Sequence, residues 1–257
     1  MTELKSKTVL VTGAIGGIGK RVVAKLETLG AQILAVDVAP EDEAKSILRE
    51  AGLSKIDYFR ADLTSSEDLA RLISWASAYP VDALVALAGI VVSGDLVKQT
   101  DEEISRVIHT NLTSQLSLSK LCIQKWLSEG VEGQIIFVSS WVDHVPWPGI
   151  TPYAASKAGL VAACRGIARE YATKGIRANL IAPGIVDVGM AAKQWREEPE
   201  YRARAGRAIP LGRLQKPDEV AEGIAFLLSE SASYMTGSTL LMDGGASLYP
   251  LDPEDKI

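Results

Sequence analysis

Cysteine and histidine are scarce in this chain, with two of each among 257 residues. Cys122 and Cys164 fall in apolar, helix-like segments. In a chain of this length that reads as buried free thiols rather than a disulfide framework. Donors so few and so scattered offer no metal-ligand spacing, so no metal is expected. Long hydrophobic runs are missing too: none reaches the roughly 18 residues that a membrane helix needs. Nor is there a basic excess. Lys and Arg number 27 against 32 Asp and Glu, a net charge of -5, which argues against nucleic-acid binding through a basic stripe. The opening segment from Met1 to Lys7 is polar and carries no apolar core of a secretory signal, so a cytoplasmic location is expected.

What is present is a globular balance, 47% hydrophobic and 23% charged. It fits a single domain over residues 1–257 with a large core. Short apolar runs alternate with helical patterns. Strands are expected at Thr8–Thr12, Ile33–Asp37, Asp57–Ala61, Ala83–Ala88, Gln134–Ser139, Arg177–Ala182 and Thr239–Asp243. Helices are expected at Gly17–Leu29, Glu41–Ala51, Ser66–Ala78, Asp101–Glu129, Pro152–Thr173 and Asp218–Ser229. Continuous apolar strands separated by helices predict a parallel sheet covered on both faces, a Rossmann-like doubly wound α/β/α sandwich. In such sheets ligands bind at the carboxyl ends of the strands, near the switch in strand order. Residues 189–210 break the alternation; they are polar and arginine-rich, and predict a helical excursion over the sheet edge. The polar tail Pro250–Ile257 is expected to fray.

Directly after the first strand comes Thr12-Gly13-Ala14-Ile15-Gly16-Gly17-Ile18-Gly19. Glycines at 13, 17 and 19 permit a tight turn, close approach to a pyrophosphate and close packing of the following helix, whose N-terminus faces the phosphates. A triphosphate P-loop would need Gly-Lys-Ser/Thr at its end, and Gly19-Lys20-Arg21 does not supply it. Asp37 closes the second strand, 18 residues after Gly19. A carboxylate there accepts hydrogen bonds from ribose hydroxyls and repels a 2′-phosphate, which favours NAD over NADP. Asp62 ends the third strand in the same way; it either contacts the adenine amine or caps its own turn.

Tyr153 and Lys157 stand four residues apart, which on a helix places them on one face. A free phenol has a pKa of about 10, so at pH 7 only about one in a thousand is ionised. Bringing that pKa to about 7 takes roughly 4 kcal/mol of preferential phenolate stabilisation. A lysine ammonium and a cationic nicotinamide can supply much of it. Ser140 lies 13 residues before Tyr153, just past a strand end, and Asn111 lies in the long helix pattern. Pro183-Gly184 and Asp243-Gly244-Gly245 follow the last two strands.

Together these motifs resemble the short-chain dehydrogenase/reductase family, over about Lys7 to Ser247. The resemblance implies an NAD-dependent oxidoreductase moving a hydride between the nicotinamide and a secondary alcohol or ketone: a polyol, sugar, cyclic alcohol or hydroxy acid. It implies Tyr153 as acid/base and Lys157 as the group that lowers its pKa and holds the nicotinamide ribose. Ser140 would hydrogen-bond the substrate oxygen, and Asn111 would position a water. Implied cofactor contacts are Gly13, Ile15, Gly16, Gly17, Ile18, Gly19, Asp37, Asp62, Leu63, Ala88, Gly89, Tyr153, Lys157, Pro183, Gly184 and Val186. A homotetramer or homodimer is implied as well, through the two long helices. A biosynthetic ketoreductase on the same residues, a non-catalytic NAD sensor, and a lyase or epimerase are the competing readings.

Two departures stand out. Ala86-Leu87-Ala88-Gly89 replaces the Asn-Asn-Ala-Gly common in the family, which removes side-chain hydrogen bonds that brace the sheet. Val186-Asp187-Val188-Gly189 lacks the threonine common near the nicotinamide amide. On the substrate side, Trp141, His144, Trp147 and Trp195 could line the pocket or serve as ordinary packing and loop residues.

Overall fold

The computed structural model describes residues 4–53 and 56–248. The proposed fraying of Pro250–Ile257 lies outside the described residues. Seven parallel strands form one sheet in the order β3-β2-β1-β4-β5-β6-β7. They are β1 Thr8–Thr12, β2 Gln32–Asp37, β3 Asp57–Arg60, β4 Val81–Ala86, β5 Gln134–Val138, β6 Arg177–Pro183 and β7 Thr239–Met242. The inner stretches of β1, β2, β4 and β5 are apolar because successive side chains enter different cores. Val9, Val11, Ala83, Val85 and Ile136 point into one cluster. Leu10, Leu84, Ile135 and Phe137 point into the other.

The first core is closed by α1 (Gly19–Thr28) and by α2 (Glu41–Glu50), with α9 (Pro217–Leu228) packed beside α1. The second is closed by α3 (Ser66–Ala76), α5 (Ser114–Glu129) and α6 (Thr151–Tyr171). Helix starts follow local chemistry. The Ser65 hydroxyl accepts from the Asp68 amide at the head of α3, and Thr100 and Glu103 form a reciprocal capping box at the head of α4 (Asp101–Ile108). Chain order reverses across β1 and β4, so the loops after these two strands flank the crevice where such sheets bind ligands.

The structure revises one of the sequence expectations. The helix expected from Asp101 to Glu129 is not continuous: α4 and α5 are separated by a π-helical turn, His109–Thr113. Its cause is Asn111, fully buried and drawn toward the β4 loop, where its side-chain amide pairs with the Ile90 backbone in both directions. The 189–210 excursion forms α7 (Gly189–Glu197) and α8 (Pro199–Ala208). Beyond α8, Ile209 and Leu214 share a small core with Trp141 and Val142 from the loop after β5. The excursion is helical and packs beside the loop after β5, at the carboxyl edge of the sheet.

Both cysteines are free and buried, and burial pushes each thiol up to about 12. Trp126 locks α5 to the sheet by donating its indole N–H to the Val81 carbonyl at 2.6 Å. A Cβ at Gly133 would lie 2.3 Å from its ring. Trp126→Phe keeps most of the apolar packing but strands that carbonyl, and should cost about 1–3 kcal/mol. The check is the urea unfolding midpoint, expected to fall with an unchanged denaturant slope.

Candidate active site

The glycine loop is shaped by contacts within the protein. Gly13 has φ +65, and a Cβ there would lie 2.9 Å from the Ala88 Cα. A Cβ on Gly19 would lie 1.9 Å from the Gly13 carbonyl. Only glycine lets the loop fold down on the β4 end while α1 starts directly behind it. Val188, a departure from the family pattern, packs where a side chain on Gly17 would go, with its Cβ 2.7 Å from that position.

The β4 departure is offset in a way the sequence did not announce. The Thr12 hydroxyl accepts from the Leu87 amide at 3.1 Å and the Ala88 amide at 3.2 Å. Gln115 donates to the Ala88 carbonyl at 2.9 Å. Bracing thus comes from a β1 threonine and an α5 glutamine instead of β4 asparagines. The spacing carried a signal for Gln115, which lies one helical turn beyond Asn111.

A cavity of about 950 Å³ runs along the carboxyl ends of the strands. Gly13, Gly16, Gly17, Ile18 and Asp37 line one part of it. Asp62, Leu63, Ala88, Gly89, Pro183, Gly184 and Val186 also line it, and so do Ser140, Tyr153 and Lys157. Arg106, Thr110, Val91 and Val92 line it as well and were not among the expected residues. Ile15, Gly19 and Asn111 shape the wall from behind. The Ile15 amide donates to Asp37 Oδ2 at 3.3 Å, and the Val38 amide to Oδ1 at 2.8 Å. Asp62 caps its turn, accepting from the Thr64 amide and hydroxyl at 2.9 and 2.7 Å, bonds that hold its carboxyl below the usual range.

At the other end Ser140 sits at the head of a short 3-10 turn, Trp141–Asp143, just past β5. Tyr153 and Lys157 lie one turn apart on α6, with the ammonium 5.5 Å from the phenol ring centroid. Lys157 Nζ donates to the Val138 carbonyl at 2.7 Å. Burial lowers Lys157 to about 8, with Asp143 opposing. Burial raises Tyr153 to about 12, the Ser140 hydrogen bond pulls it back, and Asp143 adds to the rise. Gly89 lets the β4 loop pass close: a Cβ there would be 3.2 Å from Asn111 Oδ1 and 3.5 Å from Lys157 Nζ. Asn111 also donates to the Ser156 hydroxyl at 3.2 Å.

Trp141, His144, Trp147 and Trp195, for which pocket and packing roles were both open, are not in the lining of this cavity. Trp141 is 4% exposed in the small core beneath the excursion. Trp147 meets it edge-on, ring centroids 5.5 Å apart, and carries the Arg204 guanidinium 4.9 Å above its own ring. Trp195 packs against the same core, and His144 pairs with Asp143. These aromatics fasten the excursion to the Ser140 turn, which accounts for their clustering in sequence without pocket contact.

A family model described as enoyl-(acyl carrier protein) reductase matches residues 13–247. The chain belongs to the short-chain dehydrogenase/reductase family. It is 38% identical to 3beta-hydroxysteroid dehydrogenase 1 of Eggerthella lenta, over 96% of each chain. It is 36% identical to the 3-oxoacyl-(acyl-carrier-protein) reductase FabG of Thermotoga maritima, over 95% of this chain and 98% of that one. Among solved structures it resembles a putative NAD(P)-dependent gluconate 5-dehydrogenase from Beutenbergia cavernae with bound NADP. That likeness has a TM-score of 0.89 and 30% identity, and covers 96% of this chain and 99% of the other. Short-chain dehydrogenase/reductase members this similar thus act on different alcohols and ketones, and a nicotinamide cofactor is common ground. No helix among the described residues is long and apolar enough to cross a membrane.

The buried ammonium makes stability depend on pH. Lys157 in the folded chain releases its proton near 8, against an ordinary 10.5. Between those values the unfolded chain holds the extra proton, so stability rises with pH through that window. Measured against Lys157→Met, in which the other titrating groups are unchanged, the unfolding free energy of the wild-type chain should climb from pH 8 to pH 10. A difference that stays flat across that range would contradict a desolvated ammonium.

Proposed function

We propose that this chain is an NAD-dependent oxidoreductase that exchanges a hydride between the nicotinamide and a secondary alcohol or ketone. The carrying observation is that Ser140, Tyr153 and Lys157 open onto the same cavity as the glycine loop and Asp37. The elongated crevice suits a dinucleotide, with backbone-dense glycine turns at the diphosphate end and a carboxylate at the ribose end. A nicotinamide cofactor bound there supplies the hydride chemistry.

The chain's own groups do the rest. Ser140 donates to the substrate oxygen and stabilises charge as it develops. Tyr153 Oη takes the hydroxyl proton in oxidation and returns it in reduction. Lys157, fixed by the Val138 carbonyl, keeps a positive charge beside the phenol. Asn111, held at both ends of its amide by Ile90, sets the shape of the wall behind Lys157 and so the route for a water. The Asp37 carboxylate supports NAD over NADP by repelling a 2′-phosphate.

The same groups run a reduction in reverse, with Tyr153 giving its proton to the ketone oxygen. A homodimer or homotetramer also belongs to this reading, with α5 offering exposed Leu116 and Leu127 for burial.

The test is NADH formation across a panel of polyols, sugars, cyclic alcohols and hydroxy acids, with NADP in a parallel arm. Tyr153→Phe should lose turnover by about a thousandfold while still binding cofactor. Asp37→Ala should narrow the preference for NAD. Rates with NADP equal to or above those with NAD would remove the role given to Asp37, and turnover unharmed by Tyr153→Phe would remove the mechanism.

A further inference from the structure

The loop after β4 walls the catalytic end of the crevice, and its side chains there are hydrocarbon. Gly89 passes beside the Lys157 ammonium, where a Cβ would lie 3.5 Å from Nζ. The Ile90 backbone is held in both directions by the Asn111 amide. Val91 and Val92 come next, and both line the cavity. The loop then crosses to α7, with the Ser93 hydroxyl 3.8 Å from Met190 Sδ. One residue later it reaches the approach to α6, where the Gly94 amide donates to the Gly149 carbonyl at 2.9 Å. The two valines thus sit in an arch that starts beside Lys157 and lands on α7 and on the segment leading to Tyr153. Val91 and Met190 are exposed, and Leu96 and Val97 carry the apolar edge further along the same loop. Apolar side chains left together at the mouth of a cavity mark a surface that a ligand covers.

Charge is kept away from this end. Among the described residues the charged side chains lining the crevice are Asp37, Asp62, Arg106 and Lys157. Asp37 and Asp62 belong to the ends of β2 and β3. Arg106 shares a separate surface hollow with Thr64 and His109, and the His109 ring reaches the Thr64 carbonyl at 3.3 Å, which puts this arginine on the β3 side. Lys157 is buried and committed to the Val138 carbonyl. Polar side chains close by are engaged and do not line the cavity. Asp143 accepts from the Ser139 hydroxyl and pairs with His144. The Gln99 amide nitrogen donates to the Val92 and Gly94 carbonyls, and Gln215 Oε1 accepts from the Gly184 amide.

We propose that the substrate is an uncharged secondary alcohol or ketone with a hydrocarbon body, cyclic or aryl, whose reacting oxygen is its one polar group at this end of the crevice. This rests on the reading of Ser140 and Tyr153 as the groups at that oxygen. In oxidation the hydride on the carbinol carbon passes to the nicotinamide and the hydroxyl proton to Tyr153, which leaves the ketone. The two site hydroxyls satisfy the reacting oxygen, and the body of the molecule lies along Val91, Val92 and the Met190 edge. A polyol or sugar would bring further hydroxyls against valine side chains, where they lose water and gain no partner. A hydroxy acid would bring a carboxylate with no cation to meet it.

The experiment compares kcat/KM for cyclohexanol, decahydro-2-naphthol and 1-phenylethanol with kcat/KM for sorbitol, gluconate and 3-hydroxybutyrate, using NAD and NADP in separate arms. The best apolar alcohol should exceed every polyol and hydroxy acid by about a hundredfold or more, the scale on which an apolar pocket rejects an added hydroxyl. V91S and M190A should each raise the KM for decahydro-2-naphthol several-fold, and M190A, outside the cavity lining, should leave the KM for NAD where it is. Turnover of a polyol or hydroxy acid equal to or above that of the apolar alcohols overturns the proposal and leaves the oxidoreductase reading standing. An unmoved decahydro-2-naphthol KM in both variants overturns the placement of the substrate against this loop. No reduced cofactor from any of the six alcohols in either arm, or oxidation undiminished in Y153F, overturns the parent reading and this one with it.

Discussion

The Lys157 ammonium, buried at the end of β5 and hydrogen-bonded to the Val138 carbonyl, is the constraint around which the site is arranged. A charge taken out of water needs partners, and the strand end provides one that cannot move. Anchoring at that carbonyl fixes the rotation of α6 about its own axis. With the rotation fixed, Tyr153 one turn earlier faces the same cavity, and Ser156 is free to bond the Tyr153 carbonyl and accept from Asn111. The β4 loop can reach this point because Gly89 has no side chain to strike Asn111 or the ammonium. Three elements distant in sequence therefore meet at one nitrogen.

The sheet and its order of layers were legible because both depend on period and burial. Strands such as Leu84-Val85-Ala86 are apolar at every position, a pattern that only a doubly covered sheet explains. Tyr153 and Lys157 were legible because helical spacing alone puts them on one face. The Rossmann-like architecture and the family follow from the same residues. The π turn was hidden, since its cause is not a propensity of residues 109–113 but a tertiary bond from Asn111 to the Ile90 backbone. The bracing by Thr12 was hidden for a similar reason. A threonine at a strand end looks ordinary until a neighbouring loop presents two amides to it.

For Trp141, Trp147 and Trp195 the sequence left pocket lining and ordinary packing both open. Their area is spent on a second, minor core that joins the Ser140 turn to the excursion. Large rings bury much surface in few residues, which suits an element that must be fastened over the cavity with little else beneath it. Two arginines of the excursion are likewise taken up within the protein: Arg196 pairs with Asp187, and Arg204 lies over Trp147 and Tyr201.

The π turn at His109–Thr113 has a bearing on how the chain length between α4 and α5 is set. A π turn holds one residue more than the α-helical turn it replaces. Deleting a residue there would restore regular helix and swing everything beyond it by about 100° around the axis. Asn111 would leave Ile90, and Gln115 would leave the Ala88 carbonyl. The wall of the crevice is thus encoded in a count as much as in a composition, and an alignment gap at this turn would say more than a substitution.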